Sequence, residues 1–112
     1  MDSRRQQKVS KVILQDLADI FQKESQTMFE GAFITVTIVR VSSDLSTARV
    51  FLSIMGKDPE AAMKIIEKQN KMIRKNLAAR VRHQLRKVPE LIFKIDDSLD
   101  YYEEINDLLK DK

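Results

Sequence analysis

Apolar positions along the chain change period four times. Between residues 4 and 24, Val9, Val12, Ile13, Leu17, Ile20 and Phe21 recur every three or four residues. That spacing predicts one stripe along a helix, and Ser3 is placed to cap it. Gly31 closes a polar connector, and the period then drops to two. Phe33–Val41 is rich in β-branched residues and sets Ile34, Val36 and Ile38 against Thr35 and Thr37. After a turn at Ser42-Ser43-Asp44-Leu45-Ser46, residues 47–54 alternate again, with Ala48, Val50, Leu52 and Ile54 on one face. Two such runs across a short turn predict an antiparallel hairpin.

Asp58 and Pro59 suit the cap and first position of a further helix. From Ala61 to Pro89 the helical period returns. At 100° per residue, Ala62, Ile66, Ile73, Leu77 and Val81 share an arc of about 100°, with Leu85 at its margin. Lys64, Lys68, Lys71, Lys75, Arg82 and Arg86 fall within about 60° on the opposite side. The pattern weakens at Gln69-Asn70-Lys71. Because Asn tolerates the left-handed conformation, a break or kink near Asn70 is expected. Beyond Pro89, Glu90–Ile95 reads as a strand with Leu91, Phe93 and Ile95 on one face. Asp96-Asp97-Ser98 then turns the chain into a last, acidic helix over residues 99–109. The order α-β-β-α-α-β-α predicts a two-layer α+β domain, with helices packed on one face of a three-stranded sheet.

Composition narrows the class. A chain of 112 residues, 43% hydrophobic and 33% charged, is a charge-rich single globular domain. The segment MDSRRQQKVSKV has no apolar core, so no secretory signal is expected, and no apolar run is long enough for a membrane span. Without cysteine there is neither a disulfide framework nor a thiolate site. A cytoplasmic protein is the expectation.

The net charge of +3 hides a strong asymmetry. Residues 64–89 hold nine cations and one anion, residues 90–112 hold eight anions and three cations, and the first 63 residues balance. A segment of net +8 calls for a polyanionic partner. Arg4 and Arg5 ill suit the positive start of the first helix, and with Lys8 they hint at a second anion-facing patch. Catalysis has little to build on. His83 is the single histidine and is placed on the surface of the basic helix, Gly31 and Gly56 are the only glycines, and Ser42, Asp58, Asp96 and Asp97 read as turn and cap residues. No cofactor, metal or small-molecule substrate is expected. A membrane-surface role is disfavoured because the apolar face is needed by the sheet and there is no Trp. DNA reading would need an exposed recognition helix. Two readings remain: an RNA-binding helix that tracks phosphates, or a protein-interaction module whose basic helix docks an acidic partner.

From Arg5 to about Asp97 the chain resembles the bacterial ribosome-binding factor A family. The likeness rests on Arg4-Arg5 and Lys8-Val9, on Phe33-Ile34-Thr35-Val36-Thr37, and on Val41-Ser42-Ser43-Asp44-Leu45. It continues through Ala48-Arg49-Val50-Phe51, Ile73-Arg74 and Arg80-Val81-Arg82, then Leu85-Arg86-Lys87-Val88-Pro89-Glu90-Leu91-Ile92-Phe93 and Asp96-Asp97-Ser98. The resemblance implies a type II KH-like domain over residues 1–98, with 99–112 an acidic helix or tail. It implies a monomeric, non-enzymatic factor that binds the small (30S) ribosomal subunit, assists late 16S rRNA maturation and processing, and supports growth in the cold. The RNA-binding residues expected on this basis and on the charge pattern are Arg4, Arg5, Lys8, Lys64, Lys68, Lys71, Arg74, Lys75, Arg80, Arg82, Arg86 and Lys87. Two features depart from the family. Its Ala-x-Gly at the kink is Gln69-Asn70-Lys71 here. His83-Gln84 stands as two extra residues, which on a continuous helix turn the later cations by about 200°. The acidic tail, next to the +8 segment, is a candidate intramolecular cover for it.

Overall fold

Ser3 opens the first helix with both halves of a capping box. Its hydroxyl accepts from the Gln6 N–H at 3.1 Å, and the Gln6 side-chain oxygen accepts from the Ser3 N–H at 2.8 Å. Gln6 is buried and also donates its amide to the Val41 carbonyl at 2.9 Å, which ties the helix start to the end of a strand. In the computed structural model, which describes residues 3–96, this helix is α1 (Arg4–Lys23). A single turn α2 (Ser25–Met28) follows, then β1 (Phe33–Val41), β2 (Thr47–Met55), α3 (Pro59–Lys68), α4 (Asn70–Val81) and β3 (Glu90–Ile95). Asp97, Ser98 and the last helix expected over 99–109 lie outside the described residues, as does its expected role as a cover.

The sheet runs β1-β2-β3. The hairpin β1–β2 is antiparallel, as the pattern predicts, and β2–β3 is parallel. A parallel pair needs a crossover, and α3 with α4 supplies it. Helices α1, α3 and α4 lie on one face of the sheet, where Val9, Ile13, Leu17, Ile20 and Phe21 of α1 meet Ala62, Ile66, Ile73, Leu77 and Val81 over Val50, Leu52 and Phe93. Phe21 centres this layer, with its ring 4.9 Å from that of Phe29 and 5.9 Å, edge-on, from that of Phe93. Gly31, at φ +82, makes the sharp entry to β1 that a side chain would strain.

Three strand and kink details differ from the pattern. Ile38 does not share the inner face with Ile34 and Val36, because a β-bulge at Thr37 sets two residues of β1 against one of β2. Val39 and Val41 face the core instead and Ile38 points outward. With Ile38 and Val39 adjacent and both apolar, alternation alone cannot choose between them. Ile95 is also exposed, since the strand ends there beyond the cover of the helices. The kink forms as predicted next to Asn70, but no left-handed residue makes it. Gln69, at φ −92 and ψ 5, separates the helices while its N–H still reaches the Ile65 and Ile66 carbonyls. Asn70 donates its side-chain amide to the Leu91 carbonyl at 3.2 Å, which fixes the break against β3.

Candidate nucleic-acid interface

Asp58 caps α3 by accepting from the Ala61 N–H at 3.1 Å, and Pro59 occupies the first turn. With Ala62 and Ile66 buried, Lys64 and Lys68 are left outside. In α4, the fully buried Ile73, Leu77 and Val81 stack every four residues and turn Lys71, Arg74 and Lys75 to solvent. So far the helical wheel holds.

Past Val81 it does not. In the sequence the helical period runs to Pro89, with Leu85 at the margin of the stripe. Instead the Gln84 and Leu85 N–H groups both close on the Val81 carbonyl, at 2.8 and 2.9 Å, and the chain turns out of the helix. His83 and Gln84 are taken up in that turn, so the 200° rotation expected of two extra residues on a continuous helix does not occur. Arg82, His83 and Arg86 are therefore loop residues. Three anchors hold the loop: Leu85 packs on the core, Arg74 donates to the Val88 carbonyl at 2.8 Å, and Pro89 is buried. His83 is exposed and accepts from the Arg82 guanidinium at 3.3 Å.

Folding the loop back beside α4 builds a groove of about 490 Å³. Five cations line it, Lys71, Arg74, Lys75, Arg82 and Arg86, over a floor of Ala78, Leu85 and Val88. The other side of the loop forms a second cleft of about 730 Å³ with the start of α1 and the β1–β2 turn. Here Arg5 and Lys8 join His83, Arg86 and Lys87. Arg86 lines both clefts, so the basic helix and the N-terminal patch form one continuous surface. The acid in the second cleft is Asp44. Hydrogen bonds from the Ser42 and Ser46 hydroxyls, at 2.7 Å each, hold its carboxyl down to about 2, and it serves the turn.

Three expected residues stand apart from the clefts, and a fourth is engaged elsewhere. Arg4, Lys64 and Lys68 are exposed but line neither. The Arg80 guanidinium pairs with Asp19 at 2.5 Å and Asp16 at 3.8 Å, bridging α4 to α1. Its hydrogen bond, with that of Lys23, lowers the Asp19 pKa. Arg80 is thus first a strut between helices. Asp16 and Asp19 sit one turn apart on α1, and that acidic pair was the signal for it in the sequence. Alignment of guanidinium and ammonium groups over a shallow apolar floor suits repeated phosphates.

An α-β-β-α-α-β domain with a mixed three-stranded sheet and a basic groove where its paired helices end is a type II KH-like fold without a glycine-rich loop. The family model described as ribosome-binding factor A matches residues 5–109. Ribosome-binding factor A of Cytophaga hutchinsonii is 48% identical over 110 residues, covering 97% of this chain and 83% of that one. The Chlorobaculum tepidum protein of the same name is 42% identical, covering 96% and 90%. The chain belongs to the ribosome-binding factor A family. The crystal structure of the factor from Thermus thermophilus shares the fold, with a TM-score of 0.68 at 23% identity over 80% of this chain and 94% of that one. A homology model of the Thermus thermophilus factor, fitted into the cryo-EM map of a complex with the 30S subunit, has a TM-score of 0.61 at 26% identity, covering 77% and 89%.

Proposed function

We propose that this chain is a non-catalytic assembly factor that binds the free 30S subunit through 16S rRNA and assists late maturation and processing of that RNA in the cytoplasm. The groove where Lys71, Arg74 and Lys75 of α4 face Arg82 and Arg86 of the loop carries the reading. Ammonium and guanidinium groups on two walls meet the phosphates of a folded RNA without reading its bases. Arg5, Lys8 and Lys87 extend the contact into the neighbouring cleft, and Arg4, Lys64 and Lys68 broaden its rim. Arg80 contributes by holding α4 on α1. Relatives carrying the ribosome-binding name, one of them fitted on the 30S subunit, support the choice of partner. Residues 1–98 act as the RNA-binding unit, as a monomer and with no cofactor, and 99–112 form a separate acidic element. A role in the cold follows from the same assignment, because misfolded rRNA is slowest to rearrange there.

Co-sedimentation of the purified chain with separated 30S, 50S and 70S particles tests this. Selective association with free 30S subunits is expected. No association with any particle, together with saturable capture of an acidic protein, contradicts it.

A further inference from the structure

The helices cover one side of the sheet, and the other side is open. There the register sets Ile38, Phe51 and Lys94 in one row across the three strands and Arg40, Arg49 and Ile92 in the next. At one end, paired Phe33 and Met55 are 64% and 66% exposed. Two properties of this face stand out. Arg40 and Arg49 are direct cross-strand partners, an arrangement that like charges disfavour. Among the described residues, neither they nor Lys94 form an ion pair. Such a cluster is relieved by an anion lying between the two guanidinium groups.

Phenylalanine rings and cations interleaved on an open sheet face match an unpaired nucleic-acid strand, whose bases stack on rings while its phosphates meet the cations. A duplex would offer no bases to exposed Phe33 or half-buried Phe51. Arginine, phenylalanine and methionine also suit a protein interface, but three cations spread over all three strands, Arg40, Arg49 and Lys94, call for a polyanion.

We propose that the open face of the sheet is a second RNA surface, taking a single-stranded segment of the same rRNA that the groove engages. The inference rests on the proposed rRNA partner. Because the face points away from the helix layer, the factor would hold two RNA segments on opposite sides of one small domain. The bulge at Thr37 serves this arrangement by turning Ile38 and Arg40 onto the open face.

The test uses the full chain carrying Arg40→Gln and Arg49→Gln, with binding to free 30S subunits measured across salt concentrations. Affinity is expected to fall about tenfold, and the slope of log K against log salt to become shallower by about 1.4, at roughly 0.7 per contact with a single strand. The thermal midpoint should stay level or rise, since a like-charge pair is removed. Phe51→Leu should weaken binding on the order of tenfold with the slope unchanged. Ultraviolet irradiation of the complex should attach RNA to peptides containing residues 33–41 or 47–55. Unchanged affinity and slope in the double variant, increased affinity, or crosslinks from these strands to ribosomal protein alone would each overturn the proposal. If wild-type chain does not bind 30S subunits, the proposed function fails. If it binds and the Arg40/Arg49 variant binds equally well, only the second surface fails.

Discussion

Helix α4 and the loop that follows it present cations to the same groove by different means. In α4, burial of Ile73, Leu77 and Val81 sets the direction of Lys71 and Lys75 through backbone geometry. In residues 82–88 there is no helix, and Arg82 and Arg86 are positioned by Leu85, by the Arg74 bond to Val88 and by buried Pro89. One wall is set by core packing. The other depends on a few tethers, and one of those is made by a groove cation. Arg74 is therefore both a candidate phosphate ligand and the residue that holds the second wall in place.

The sharpest way to break the helical wall is through the core. Leu77→Ala should cost about 2–5 kcal/mol, read from urea unfolding, because Leu77 is fully buried beneath the groove. Charge reversal should separate binding from folding. Lys71→Glu with Lys75→Glu should flatten the salt dependence of 30S binding by about two units while leaving the urea midpoint near wild type. On the loop wall, Arg74→Met should cost about 1 kcal/mol through the lost bond to Val88. Hydrogen exchange should then quicken at amides 84–88 and stay slow in the middle of α4.

The smallest effects are in acid. Hydrogen bonds from Arg80 and Lys23 lower the Asp19 pKa, and those from Ser42 and Ser46 hold Asp44 at about 2. Both carboxylates are favoured in the folded state. Their stabilisation is complete above the unfolded value of 3.8 and is lost as pH falls through the lowered one. Asp44→Asn should accordingly remove part of the loss of stability between pH 4 and pH 2, measured by thermal unfolding.

Most of the fold was legible because periodicity and caps agreed. Ser3, Asp58 and Pro59 mark helix starts, and the stripes of α1, α3 and α4 are the core. Apart from Ile95, where the strand outruns its cover, what failed did so where one apolar residue fits two patterns. Leu85 lies four residues after Val81 and looks like a further helical turn, yet it packs on the core equally well from a loop. Ile38 and Val39 could each have been the inner residue, and only the bulge decides between them. Parallel pairing of β3 with β2 left no local mark. At the site, the cations were legible from composition and their grouping was not. A charge count treats Arg80 and Arg82 alike, whereas Asp16 and Asp19 engage the first and the groove receives the second. The loop that joins Arg5 and Lys8 to Arg86 and Lys87 could be seen only once the helix was known to end at Val81.

On the proposed function, α4 and the loop act as two walls of one phosphate-binding groove. This is tested most directly by titrating free 30S subunits at several salt concentrations with wild type, Lys75→Glu, Arg86→Glu and the double variant. One residue is then changed on each wall. Each single substitution should flatten the salt slope by about one unit, and the double by about two. A double variant whose affinity and slope both match wild type would rule out the two-walled groove.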